Sequence, residues 1–205
     1  MRVKETEASS KGYAALPLQD FLEMVGSSEP APGGGAVCAV ASSLAAALAE
    51  MASRFSEKHL DGSHRLVQRA KELREEALPL AGRDAESYKE VLAAYRLPKE
   101  DPQRKQKIRE ALSRAADVPL QIADISCRTA ALASTLSRSG NPNLKGDAVA
   151  AVLLAEATVK AAANLAEINL KQAGLSDDPR LKELGNLQEE AKKAREEALS
   201  PEVSA

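Results

Sequence analysis

Aromatic residues are scarce in this sequence: they make up 2% of the 205 residues, and tryptophan is absent. No stretch alternates apolar and polar residues between turn-forming residues, which is the pattern of a half-buried β-strand. Much of the 44% apolar content is alanine, a residue that favours helices. The composition therefore predicts an all-α protein.

The sequence also lacks an excess of charge of either sign, since 28 basic and 30 acidic residues are interleaved and leave a net charge of −2. A nucleic-acid surface needs clustered basic residues, so we expect no nucleic-acid partner. The charged N-terminus has no apolar core of a secretion signal. The uncharged stretch 30–49 offers too short an apolar helix to cross a bilayer. A cytoplasmic protein without a membrane partner is predicted.

Cysteine is rare as well, with only Cys38 and Cys127 in the chain. The two residues lie far apart and form no metal-binding spacing, so we interpret them as small buried hydrophobic residues in a reducing compartment. No metal site is predicted.

The length suits one domain with a substantial core. We predict a mobile N-terminal tail over 1–15, a single helical domain over 16–199 and a C-terminal tail over 200–205. Apolar periodicity within the domain predicts an antiparallel bundle of five to six helices, several of them kinked at proline. The run 149–155 is apolar on all sides and exceeds what one small bundle readily covers, so a homodimer is expected.

A glycine turn opens the most apolar helix: Pro30-Ala31-Pro32-Gly33-Gly34-Gly35 runs into an alanine-rich segment. The first N–H groups of a helix have no intrahelical partner, and the helix dipole adds positive charge there. Without Cβ atoms, a ligand can approach those donors closely. Gly33, Gly34 and Gly35 are therefore candidate ligand-binding residues. A tight turn that lets another helix pack closely explains the glycines equally well.

Asp84 is a carboxylate within a stripe of apolar and aromatic residues. Steps of three and four residues place the stripe on one helical face. A desolvated carboxylate has a raised pKa unless it is paired, which makes Asp84 a candidate general acid or base. The alternative is a structural aspartate bonded to a backbone amide near Pro79 or to an arginine. The stripe comprises Leu66, Ala70, Leu73, Ala77, Leu80, Asp84, Tyr88, Val91 and Tyr95.

Two further polar residues occupy distinctive positions in the C-terminal half. Asp147 follows a turn cluster at 140–146, where a helix cap or first-turn acid is expected. Asn169 lies opposite the polar stripe of its helix, so its amide must find partners in apolar surroundings.

These residues belong to motifs whose order and approximate spacing resemble the cyclodeaminase/cyclohydrolase family of folate enzymes. The resemblance extends from Leu16 to about Gln172, and it implies an all-helical dimer with folate clefts at or near the subunit interface. The family usually has Ser-Asp at Gly146-Asp147 and asparagine at Leu165, so this chain departs from it at two positions. The motifs are Pro30-Ala31-Pro32-Gly33-Gly34-Gly35, Asp84-Ala85-Glu86-Ser87-Tyr88, Leu97-Pro98-Lys99, Val118-Pro119-Leu120, Gly140-Asn141, Gly146-Asp147-Ala148 and Ile168-Asn169-Leu170.

The resemblance implies hydrolysis of 5,10-methenyltetrahydrofolate to 10-formyltetrahydrofolate. Cyclodeamination of 5-formiminotetrahydrofolate is the alternative, and a non-catalytic folate-binding or interaction dimer is a third possibility. Both reactions need proton transfers but no metal or bound cofactor, with a tetrahydrofolate derivative as substrate. The expected catalytic residues are Asp84 and Asp147. The expected substrate-binding residues are Gly33, Gly34 and Gly35 as backbone donors, Asn169 for water or the pterin, Lys99 for a glutamate carboxylate, and Tyr88 and Asn141.

Overall fold

The computed structural model describes residues 12–200, which form eight α-helices and two single turns of 3-10 helix with no strand among them. This confirms the predicted all-helical fold. The 3-10 turns are Tyr13–Ala15 and Pro142–Leu144. The helices are α1 (Leu18–Val25), α2 (Gly34–Arg54), α3 (Ser63–Ala77), α4 (Leu80–Tyr95), α5 (Arg104–Ala115), α6 (Asp117–Ser139), α7 (Lys145–Gln172) and α8 (Pro179–Leu199).

Two breaks divide longer helical runs. Only Leu78 and Pro79 separate α3 from α4, and only Ala116 separates α5 from α6. The eight segments thus form six helical runs, in agreement with the predicted five to six. The second break lies three residues before Pro119, because a proline has no N–H and its ring clashes with the carbonyl four residues earlier.

The predicted tails fall largely outside the described residues, which exclude 1–11 and 201–205. The last residues of the predicted N-terminal tail form the turn Tyr13–Ala15, which packs against α4. The rings of Tyr13 and Phe21 meet edge to face with centroids 5.9 Å apart.

The core is built around α2, α6 and α7, which pack against one another, with α8 against α6 and α7. Small side chains allow these helices to approach closely, and many are completely buried. The buried residues of α2 and α7 include Ala39, Ala46, Ala49, Ala151, Val152, Val159 and Ala163. Cys38 and Cys127 are buried free thiols, as predicted.

Helices α2 and α7 run in opposite directions. A Cβ at Gly34 would lie 3.5 Å from the Leu165 side chain, near the end of α7. At the other end of α2, the Asn141 side-chain amide donates to the Phe55 carbonyl at 3.0 Å, just before α7 begins. We call the two regions the glycine end and the far end. Since α2 has 21 residues, the two ends lie about 30 Å apart.

Two segments are long and apolar enough to span a membrane by length and composition alone. They are α2 and residues 142–172, with mean hydropathies of 1.6 and 1.5. Of the most apolar windows in these segments, 56% and 50% are buried inside the protein. Core helices of globular proteins show the same combination of apolar composition and burial.

Candidate functional site at the glycine end of the bundle

Asp84 projects from α4 onto the beginning of α2. The Ala36 N–H donates to Asp84 Oδ2 at 3.1 Å. This N–H is among the first of the helix, which have no intrahelical partner. Gly33 occupies the N-cap position and has no side chain to accept from it. The carboxylate of Asp84 therefore caps α2 from a different helix, and its negative charge lies at the positive end of the α2 dipole.

Gly35 makes this close approach possible. A Cβ at Gly35 would overlap Asp84 Oδ1 and Cγ and lie only 2.6 Å from Oδ2. The other two glycines are less constrained, because a Cβ at Gly34 would make ordinary contact with Leu165 and one at Gly33 would have no atom closer than 3.9 Å. Packing thus explains one of the three glycines and leaves Gly34, which is exposed, available to a ligand.

Burial raises the pKa of Asp84, and the hydrogen bond from Ala36 offsets part of this rise. No lysine or arginine in residues 12–200 forms an ion pair with Asp84. Its partner is instead the backbone N–H of Ala36 in α2. Burial and the charge of Asp84 raise the pKa of Cys38 to about 11 and also raise the pKa of Tyr13. Both neighbours therefore stay protonated at neutral pH, and Asp84 is the carboxylate able to exchange a proton there.

Asn169 also lies at the glycine end, one helical turn beyond Leu165. Its side-chain Nδ2 donates to the Ala115 carbonyl at 3.1 Å. The prediction that this amide finds a partner is confirmed. The position of Leu165 against Gly34 was not predictable from helical periodicity, which says nothing about contacts between α2 and α7.

Tyr88 lies one turn beyond Asp84 on α4 and is 42% exposed. The predicted stripe remains buried at Leu80 and Val91, but Tyr88 and Tyr95 face solvent. All four residues lie on the same uninterrupted helix. Val91 lies about 20° around the helix from Leu80, whereas Tyr95 and Tyr88 lie about 60° and 80° from it, at the edge of the buried face. Lys99 is exposed in the loop after α4.

Asp147 and Asn141 lie at the far end. Asp147 is in the first turn of α7, and a rise of about 1.5 Å per residue puts it about 27 Å from Leu165 on the same helix. The Asn141 side chain donates to the Phe55 carbonyl and accepts from the Asn143 N–H at 3.0 Å. A single chain therefore does not bring Asp147 or Asn141 to Asp84.

Residues 12–200 contain no group of three or more His, Cys, Asp or Glu side chains able to hold a metal ion. The chemistry that these residues offer at the glycine end is proton exchange at Asp84 with backbone donors and amide groups around it.

The fold and site define an all-helical domain in which a half-buried carboxylate caps a helix that begins with glycines. The family model for formiminotransferase-cyclodeaminase matches residues 17–193, and the chain belongs to this family, as the motifs predicted. It is 34% identical to a methenyltetrahydrofolate cyclohydrolase of Methylorubrum extorquens, over 85% of this chain and 89% of the relative. It is 31% identical to a formimidoyltransferase-cyclodeaminase of Sus scrofa, over 79% of this chain but 31% of that protein.

A solved structure shows the same architecture. The crystal structure of formiminotetrahydrofolate cyclodeaminase from Thermotoga maritima aligns with a TM-score of 0.76 and 31% sequence identity. The alignment covers 90% of this chain and 92% of that one.

Proposed function

We propose that this protein hydrolyses 5,10-methenyltetrahydrofolate to 10-formyltetrahydrofolate. The observation that carries the proposal is Asp84, a half-buried carboxylate that is held at the start of α2 and has no cationic partner within residues 12–200. The 34% identity to a cyclohydrolase over 85% of this chain supports this reaction, and the structural match to a cyclodeaminase keeps cyclodeamination as the second candidate.

The reaction requires a base and then an acid at one carbon. Water adds to the methenyl carbon between N5 and N10 and gives a proton to the Asp84 carboxylate. The resulting tetrahedral carbon then loses its bond to N5, its hydroxyl oxygen becomes the formyl carbonyl on N10, and N5 acquires a proton. A carboxyl group with a raised pKa suits both transfers. The N–H groups of the glycine turn are proposed donors to the developing oxygen charge.

We further propose that the protein is a homodimer, joined through exposed apolar side chains on α2 and α7. Residues 37, 44 and 55 recur at intervals that keep them on one face of α2. The antiparallel α7, which packs against α2, also carries exposed apolar residues. Exposed apolar side chains on two adjacent helices are typical of a subunit interface. The exposed residues are Val37, Leu44, Phe55, Leu153, Leu154 and Ile168, between 36% and 60% exposed.

Such a dimer offers a place for Asp147 in catalysis. A twofold axis perpendicular to α2 and α7 places the glycine end of one protomer over the far end of the other. Asp147 of the partner subunit would then face the site of Asp84, where a second carboxylate stabilises the cationic methenyl group. Tyr88, Lys99 and Asn141 remain proposed substrate contacts, Lys99 with a glutamate carboxylate of the folate tail.

Mixing two inactive variants tests this arrangement. Asp84→Asn and Asp147→Asn proteins are each expected to be inactive. If the site is shared, mixed dimers contain one site with both aspartates, and a re-equilibrated mixture regains about one quarter of wild-type activity. A mixture that stays inactive while mixed dimers are shown to form would contradict the shared site.

The substrate is tested by following loss of methenyltetrahydrofolate absorbance and, in parallel, ammonia release from 5-formiminotetrahydrofolate. Hydrolysis above the spontaneous rate without ammonia release is expected. Ammonia release alone would establish cyclodeaminase activity, which the Thermotoga maritima structure makes the second candidate. Folate binding without either reaction would establish the non-catalytic alternative.

A further inference from the structure

At the break between α5 and α6, the Ala115 carbonyl lacks its helical donor. In a continuous helix this carbonyl would accept from residue 119, but Pro119 has no N–H. The Asn169 Nδ2 donates to it instead, at 3.1 Å. Two residues earlier, the Ser113 carbonyl accepts from the Ala116 N–H at 3.3 Å and also from Arg180 Nη1 at 2.9 Å. The Asn169 side chain thus takes the place of the backbone donor that Pro119 lacks.

The bond to Ala115 determines which way the Asn169 amide points. A carbonyl oxygen can only accept a hydrogen bond, so the amide atom that faces it is the NH₂ nitrogen. The side-chain oxygen Oδ1 is consequently on the other side of the amide. Within residues 12–200 no group donates to Oδ1, and this oxygen is not fully buried. Oδ1 is therefore an acceptor open to a ligand.

The location of this acceptor relates it to the site. Helices α2 and α7 are antiparallel, and Gly34 lies beside Leu165. Asn169, one turn after Leu165 on α7, therefore lies level with the space just beyond the start of α2. The helix N–H groups point into that space. An Oδ1 acceptor there complements a hydrogen-bond donor, either an N–H group of the pterin or the attacking water.

We propose that Pro119 is a positioning residue: it frees the Ala115 carbonyl to hold the Asn169 amide, so that Oδ1 accepts a hydrogen bond from the pterin or the attacking water. This inference rests on the proposed function. It also makes the orientation of Asn169 a consequence of a proline on another helix.

A double-mutant cycle separates this role from a purely structural one. Asn169→Ala removes both the anchor of the Ala115 carbonyl and the Oδ1 acceptor. Pro119→Ala supplies a backbone N–H to the same carbonyl, so the double variant satisfies Ala115 without Asn169. The inference predicts that the double variant regains the melting temperature lost by Asn169→Ala. Its kcat/KM is expected to stay reduced about tenfold, the effect of one lost neutral hydrogen bond.

The single Pro119→Ala variant adds a second readout. It should lose kcat/KM, because the new backbone N–H shares the Ala115 carbonyl with Asn169 and weakens its hold on the amide. Its melting temperature also reflects the loss of a fully buried proline ring and serves as the reference for the double variant. Recovery of full kcat/KM by the double variant would overturn the inference. A loss confined to KM indicates a pterin N–H as the donor, and a loss confined to kcat indicates the attacking water.

If the double variant does not fold, Asn169→Asp and Asn169→Ala are compared instead. Both lose the bond to Ala115, because a carboxylate cannot donate to a carbonyl, so Asn169→Asp should lose kcat/KM as Asn169→Ala does although it keeps an oxygen acceptor. Full kcat/KM for Asn169→Asp would show that the anchor is dispensable and would overturn the inference. An inactive wild-type protein would instead refute the proposed hydrolysis, and the same variants would then be compared for equilibrium binding of 5,10-methenyltetrahydrofolate.

Discussion

Replacing Asp84 with asparagine separates catalysis from stability at the candidate site. The change preserves the shape of the side chain, and an amide oxygen can still accept from the Ala36 N–H, now 3.1 Å from Oδ2. Asparagine cannot take up and return a proton under these conditions. We expect turnover to fall by about 100-fold or more.

The expected effect on stability is small, and the structure gives the reason. Breaking a buried ion pair costs about 3–5 kcal/mol because the remaining charge is left unpaired. Within residues 12–200 Asp84 has no cationic partner, so this cost does not arise. The variant loses a charge at the helix N-terminus, worth about 0.3–1 kcal/mol, and it no longer carries the cost of a half-buried charge. We expect the free energy of unfolding at neutral pH to change by no more than about 1 kcal/mol.

The pH dependence of stability provides a further check. Above the ordinary aspartate pKa of 3.8 and below the raised pKa of Asp84, the folded protein keeps a proton that the unfolded chain has lost. The free energy of unfolding therefore falls as pH rises through this interval. Asp84→Asn should lack that decrease, so its stability relative to wild type rises through the interval and is constant above it.

Turnover and melting temperature should be measured on the same sample, with Asp61→Asn as the control. Asp61 is an exposed loop residue, and the same chemical change there should leave both quantities unaltered. Near-normal turnover per folded molecule together with a large loss of stability would refute the catalytic assignment.

Three other substitutions and one control test the glycines around this residue and the proposed subunit interface. Gly35→Ala should displace Asp84 and lower turnover about as much as Asp84→Asn, and its free energy of unfolding should fall by about 1–3 kcal/mol. The control is Gly82→Ala on α4, where the added methyl group meets open space. This control should keep its activity, and its free energy of unfolding should rise by about 1 kcal/mol. If both alanine variants behave alike, the close packing of Gly35 is unimportant. Gly34→Val should weaken folate binding in titrations more than folding; an unfolded variant whose folded fraction binds normally would favour a packing role. Light scattering should give a dimeric mass for wild type and a smaller one for Leu44→Glu, and a monomeric wild type would contradict the proposed interface.

Local patterns in the sequence predicted the helices and the unusual setting of Asp84. Apolar periodicity located the buried residues Leu73, Leu80 and Val91 of the stripe but wrongly included Tyr88 and Tyr95, and the prolines marked both helix breaks. The partner of Asp84 was not predictable, because the Ala36 N–H belongs to a helix 48 residues earlier in the chain. Such contacts depend on tertiary packing and have no local sequence signal.

Spacing along the chain also could not show which motifs meet. Asp147 and Asn169 lie on the same helix, yet its length separates Asp147 from the glycine end by about 27 Å. The hydrogen bond between Asn169 and Ala115 likewise could not be predicted from the sequence, because it depends on how α7 packs beside the break at Ala116. Motif order identified these residues as a set, whereas the structure assigns them to two ends of the bundle.

The most direct test of the account is the rate at which purified protein consumes 5,10-methenyltetrahydrofolate, with Asp84→Asn at equal concentration as the reference. The account predicts that wild type exceeds the spontaneous rate and forms 10-formyltetrahydrofolate, while the variant adds about 1% of the wild-type increment or less. Equal rates for the two proteins would contradict the central role of Asp84.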